Sequence, residues 1–219
     1  MESSTVSFSM MELFKLGGAL MWPLLAYSIV VLTIGLERII YFSYHDRKMD
    51  DLRARVSEYI ANNDYAAAIS YLESASKKRM GARVLLALVK RAAPVEGRVF
   101  SEHQIEKAVE TEAMLCINSL ENGLNFLVAL GSLSPLTGFL GTVTGMIGAF
   151  KSIAEATEVN AQIVANGIYE ALITTVVGLV IAIAAMIFHS VFTHMVARFT
   201  SDVEKSCSDL IAEIADQQK

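Results

Sequence analysis

Marking the ionisable positions along the chain leaves three long charge-free runs: Leu16 to Leu36, Asn122 to Phe150, and Ala171 to Phe188 with an apolar continuation to Ala197. A helix crosses the hydrocarbon core with roughly 20 apolar residues, so each run is long enough to span a bilayer. Between the first two runs the pattern is different. It shows no strand-like alternation, and its punctuation is sparse: Asn62-Asn63-Asp64, then Gly81, then Pro94 to Gly97. This spacing predicts helices over 45–61, 64–76 and 82–93. Ser101-Glu102-His103-Gln104 has the form of a capping box, and Ile105, Val109, Cys116 and Leu120 then recur at helical spacing directly into the second run. The helix that enters span two is therefore expected to start well before the span.

Composition places the chain in a membrane. Of its 219 residues 53% are hydrophobic and only 19% charged, with a mean hydropathy of +0.45, against about 25% charged in soluble domains. The first run is expected to remain as an anchor, because Glu2 and Glu12 stand where a cleaved signal carries basic residues. Orientation follows from the basic residues beside each span. Arg38, Arg47, Lys48, Arg53 and Arg55 follow the first, Lys107 precedes the second, and Arg198 and Lys205 follow the third, whereas the N-terminal arm carries Lys15 alone and the turn after span two Lys151 alone. The expected organisation is an external arm (1–15), transmembrane helix one (16–44), a cytoplasmic helical region (45–121), transmembrane helix two (122–150), a short external turn (151–160), transmembrane helix three (161–197) and a cytoplasmic tail (198–219). Residues 37–121 hold 13 basic and 13 acidic residues, and the whole chain is at −5; a nucleic-acid partner is not expected. Glu102, Glu106, Glu110, Glu112 and Glu121 read as a solvated or subunit-facing acidic face rather than a metal site. Cys116 and Cys207 are too few and too far apart for a disulfide or metal framework. His189 and His194, five apart, do not share a helical face.

Chemistry concentrates in spans two and three. Pro135-Leu136-Thr137-Gly138-Phe139-Leu140-Gly141-Thr142-Val143-Thr144-Gly145-Met146-Ile147-Gly148 is glycine-rich, but no Gly-Lys-Ser/Thr follows, so a phosphate cradle is excluded. Glycines four apart, such as Gly141 and Gly145, let helix backbones approach closely in lipid; Gly138, Gly148 and Gly178 are read the same way. The hydroxyls of Thr142 and Thr144 either bond back to their own helix or line a polar path. Span three tips the balance towards a path, because Glu170 and Thr174 share a face at i, i+4, with Thr175 about 100 degrees further round. A carboxyl at membrane depth is costly unless it meets water or protein, which makes Glu170 a candidate for proton or ion handling. Its alternative is a place at the interface, capping the helix. The helix-compatible residues from Ala161 to Tyr169 put it about two turns inside, which favours the inner position.

These motifs resemble those of the ExbB/TolQ/MotA proton-channel family, in its three-span ExbB/TolQ branch and most like the ExbB members. The resemblance covers nearly the whole chain: the span after Trp22-Pro23 ending in Glu37-Arg38, the helices containing Asp64-Tyr65-Ala66-Ala67-Ala68, and the two motif-bearing spans. Ser134-Pro135 with Gly138 to Gly145 is similar to the signature Pro-x-x-Gly-x-x-Gly-Thr-Val-x-Gly, which places the family threonine on Thr142. Asn166 to Thr175 with Gly178-Leu179 resembles the third-span signature, carrying the pore-associated glutamate to Glu170 and the threonine to Thr175. Ala184 stands where the family commonly has a proline, so a kink there is not expected. The resemblance implies a homopentamer around a central pore that holds the helices of one-span ExbD/TolR-like partners. Proton flow would drive motion that energises a TonB- or TolA-like protein. The proton-carrying aspartate would belong to the partner, with Thr142, Glu170, Thr174 and Thr175 lining the path.

Other classes fit less well. A solute transporter needs more spans and often inverted repeats, and none is visible. A non-conducting membrane scaffold would use the same helices without any dependence on a proton gradient. An enzyme is not expected, since no nucleophile–base pair, metal cluster or cofactor motif occurs, and the span count disfavours a four-span flagellar stator. ExbB and TolQ share this architecture, and the expectation leans towards ExbB.

Overall fold

The computed structural model describes residues 14, 17–44, 49–93, 102–155 and 161–217. Among them every regular element is a helix: α1 (Met21–Tyr44), α2 (Met49–Ala61), α3 (Tyr65–Ala75), α4 (Met80–Ala92), α5 (Glu102–Glu121), α6 (Leu124–Glu155) and α7 (Ala161–Gln217). Three stretches are long and apolar enough to cross a membrane: Met21–Ser43, Glu102–Glu155 and Ala165–Asp216. The chain divides into two compact units, one holding the residues up to Leu36 with Gly123–Ser190, the other Glu37–Asn122 with Val191–Lys219.

In the first unit α6 and α7 run antiparallel along a seam of small residues. Gly131 lies against Ala185 and Met186, Ser134 against Gly178, Gly138 against Thr174 and Thr175, Gly145 against Ala171 and Gly167, and Ala149 against Gly167. Together with Gly141, which meets Thr174, these α6 residues are spaced three or four apart, the repeat that keeps one stripe facing a partner helix. The missing side chains bring the backbones together: a Cβ on Gly178 would sit 2.5 Å from the Ser134 carbonyl oxygen, and one on Gly138 2.9 Å from that of Thr174. Lipid supplies no hydrophobic drive between helices, so close packing of this kind holds them. Gly148, expected among the packing glycines, has no packing neighbour among the described residues of this chain. Nothing lies within 4 Å of a Cβ there, and the residue is exposed.

Helix α1 begins at Met21 rather than Leu16, because residues 17–20 form turns, with Gly18 in the left-handed region at φ +67°. The turn is tied to the helix by Met21 N–H donating to Gly18 O (3.2 Å) and Trp22 N–H to Ala19 O (3.3 Å). The helix entering span two is also not continuous. It breaks at Asn122-Gly123, where Gly123 adopts φ +85°, a conformation glycine takes at little cost.

The second unit packs helical stripes against one another. Leu52, Val56 and Ile60 of α2, Leu72 of α3, Leu85 and Leu88 of α4, and Phe192, Phe199, Leu210 and Ile214 of α7 are fully or almost fully buried. Phe42 stacks on Phe192 with ring centroids 5.7 Å apart. The α2–α3 turn is a helix C-cap built on Asn63 at φ +60°: Asn63 N–H donates to Ile60 O (2.8 Å) and Asp64 N–H to Tyr59 O (3.0 Å). Asp64 then caps α3, its carboxylate accepting from Ala67 N–H at 2.9 Å. The break expected at Gly81 lies just before it, at residues 76–79, and Gly81 stands in the first turn of α4, where a Cβ would overlap the Met49 sulfur. Residues 198–217, expected as a tail, continue α7 and pack in this unit, with Ser57 donating to Glu213 (2.8 Å) and Arg53 paired with Asp209 (2.9 Å). The expected helix starts at residue 45 and at Ser101 fall outside the described residues.

Candidate functional site

In the first unit a groove of about 570 Å³ lies along the α6–α7 seam towards the start of α7. Gly141, Thr144, Gly145, Gly148, Ala149 and Ser152 line it from α6, Asn166, Gly167, Glu170 and Thr174 from α7, and Gly17, Ala19 and Leu20 from the turn before α1. The small residues create it, since successive glycines remove side-chain volume where polar groups then stand. Glu170 is half-buried and is the one titratable group among these lining residues. It lies nine residues past the first residue of α7, so it is inside the helix and not its cap. Asn166, one turn earlier, shares its face.

The hydroxyl hydrogens in the groove are already used. Thr144 donates to Leu140 O (3.0 Å), Ser152 to Gly148 O (3.0 Å) and Thr174 to Ala171 O (2.8 Å). A hydroxyl that spends its hydrogen on a carbonyl keeps acceptor lone pairs. Chemically, the groove offers one group that can bind and release a proton and several oxygens that can accept from water.

The sequence-predicted residues separate here. Glu170 and Thr174 meet in the groove, as their i, i+4 spacing implied, but Thr174 is only 1% exposed and packs directly on Gly141. Thr175 lies outside the lining and donates across the helix pair to Gly138 O at 3.0 Å. Thr142 is outside it too, donating to Phe139 O at 2.6 Å. Asn166, Ser152 and the Gly17-Gly18 turn were not foreseen. The spacing that linked Glu170 to Thr174 also links Asn166 to Glu170, whereas nothing in the pattern brings residues 17–20 to α7. No cluster of three metal-binding side chains lies among the described residues. In the second unit Arg83 binds Glu112 at 2.8 Å, so part of the expected acidic face is paired.

This fold defines a class, the multi-pass helical membrane proteins with a carboxyl set in a small-residue helix seam. The MotA/TolQ/ExbB proton channel family matches residues 72–205, which include the motifs of both α6 and α7. An ExbB-like protein of Synechocystis (ExbB-like 3) is 32% identical over 184 residues, covering 83% of this chain and 84% of that protein. Biopolymer transport protein ExbB of Pseudomonas putida is 34% identical over 93 residues, 42% of this chain and 28% of the relative. Tol-Pal system protein TolQ of Haemophilus influenzae is 45% identical over 74 residues, 34% of this chain and 32% of the relative. The chain belongs to the MotA/TolQ/ExbB proton channel family, whose members are multi-pass inner-membrane transport subunits.

Proposed function

We propose that this chain is the inner-membrane subunit of a motor driven by the proton-motive force, of the ExbB kind. It assembles as a homopentamer around a central pore, with its N-terminus periplasmic and its C-terminus cytoplasmic. An ExbD-like one-span partner occupies the pore and carries the second protonatable group, and the motor energises a TonB-like protein for transport across the outer membrane. The observation that carries this reading is Glu170, the one carboxyl in the apolar 161–197 stretch of α7, opening on a groove of acceptor oxygens. Such a carboxyl is expensive to keep in an apolar helix without an exchange partner. The driving term is sufficient, since one charge moving through 100 mV releases about 2.3 kcal/mol. A Tol-Pal role is the second reading, favoured by the 45% identity to a TolQ over the matched segment.

The test is proton flux with the partner co-expressed, alongside oligomer mass. Glu170→Gln keeps shape and hydrogen bonding but cannot ionise, and is expected to cut flux by roughly a hundredfold, the scale of a positioned proton-transfer group. Thr142→Val, whose hydroxyl bonds only within its own helix turn, should reduce flux at normal oligomer mass if that side chain faces the pore. Normal flux in Glu170→Gln would show that the path does not run through this carboxyl, whereas no flux from the native complex with its partner would leave a non-conducting scaffold as the better account, with the interhelical bond of Thr175 as its glue.

A further inference from the structure

The turn that precedes α1 packs on the carboxyl of Glu170. Gly18 stands at φ +67°, and a Cβ built on it would overlap Glu170 Oε1, with Cδ at 2.9 Å and Cγ at 3.6 Å. Two properties of glycine therefore meet at one position: its freedom in the left-handed region and its lack of a side chain where the carboxyl lies. Gly17, buried beside it, and Ala19 and Leu20 complete that wall of the groove. We infer that Gly18 is a positioning residue for Glu170: the bare backbone of the 17–20 turn sets how far the carboxyl reaches into the groove and shields one side of it. The obstacle met by an added Cβ is the far end of a flexible side chain, not backbone. A substitution therefore moves the carboxyl before it disturbs the fold. The inference rests on the proposed proton-handling role of Glu170 for its functional consequence, but the contact itself does not.

The experiment follows the rate at which a carboxyl-reactive carbodiimide modifies Glu170 in the full-length membrane protein, read residue by residue by mass spectrometry, with exposed Glu155 as the internal reference. Gly18→Ala adds the Cβ and backbone strain together. Gly18→Asn adds the Cβ at a residue that tolerates positive φ, so it remains informative if the alanine variant does not fold. Both are expected to change the Glu170 rate by at least about two-fold, the lower end of coupling between residues in contact, with Glu155 unchanged. In a Glu170→Asp background the effect of Gly18→Asn on the residue 170 rate should vanish, because the shorter side chain withdraws from the added carbon. An unchanged Glu170 rate in Gly18→Asn, an equal change at Glu155, or an effect that persists in the aspartate background would each overturn the inference. Normal proton flux in Glu170→Gln would instead sink the proposed role of Glu170 and leave the labelling result standing on its own.

Discussion

Thr174 and Thr175 are neighbours in sequence with different tasks, and the difference comes from what lies opposite. Thr174 is sealed against Gly141 and lends an oxygen to the groove, while Thr175 reaches the Gly138 carbonyl across the seam. Bonds of this sort between membrane helices contribute about 0.6–2 kcal/mol, so Thr175→Val should lower thermal stability by that order before it alters any pathway. A flux defect with an unchanged melting temperature would contradict this. Gly178→Ala is expected to cost about 1–3 kcal/mol, because the Ser134 carbonyl that it meets is backbone and cannot step aside. Gly148→Ala should stay within about 0.5 kcal/mol in the isolated chain, as nothing lies opposite. Thermal unfolding of the two variants side by side checks the contrast, and equal losses would refute the seam as drawn. The residue types of the site could be read from the chain, since Glu170, its threonines and the glycines announce themselves in an apolar run. Which of them face each other could not, because a glycine signals a close approach without naming its partner.

At the scale of elements, end signals were more legible than helix starts. Asn62-Asn63-Asp64 predicted a turn, and the described helices α2 to α4 lie within a few residues of their expected ranges, because local capping chemistry decides such boundaries. Asp64→Ala removes the carboxylate that holds Ala67 N–H and should cost about 1 kcal/mol, with Asp64→Asn largely restoring it. Residues 17–20 differ from the expected helix because a glycine can sit within a helix or turn the chain, and only tertiary structure distinguishes the two. Arg38 was legible only as a basic residue flanking span one. It is 5% exposed, and its guanidinium donates to the carbonyls of Ser119 (3.1 Å) and Leu120 (3.2 Å), the last turn of α5 just before the Gly123 break. There it satisfies orphan carbonyls at the negative end of the helix. Arg38→Ala is expected to destabilise by about 1.5–3 kcal/mol, the range for hydrogen bonds to a charged group, and Arg38→Lys by less. Denaturant titration of the purified protein measures both.

For the whole molecule, the informative surface is the apolar one left uncovered. Trp22, Ile29 and Ile40 of α1, Phe139, Ile147 and Phe150 of α6, and Val176, Val180 and Ile183 of α7 are all more than half exposed. Lipid and other subunits are the two media that accept such faces. Native mass spectrometry in detergent should show a pentamer as the main species, and a monomer would remove the pore from the proposed function. Stability should also fall at high pH. Burial pushes the Cys207 thiol from 9.0 up to about 12, so the folded chain keeps a proton that the unfolded chain releases above pH about 9, and the stabilisation present below that pH is lost as pH rises towards 12. Cys207→Ala should flatten this decline relative to the native chain; an identical pH slope would exclude the thiol as its source.

The same burial has a practical corollary. Desolvation raises the Cys116 thiol as well, and thiolate, not thiol, is the species that alkylates. At neutral pH the folded native protein therefore offers a labelling reagent two silent sulfurs. A cysteine placed on an exposed groove position, Gly148→Cys for instance, would be read out against an almost blank background. The aqueous outline of the groove could then be mapped one residue at a time without first building a cysteine-free chain.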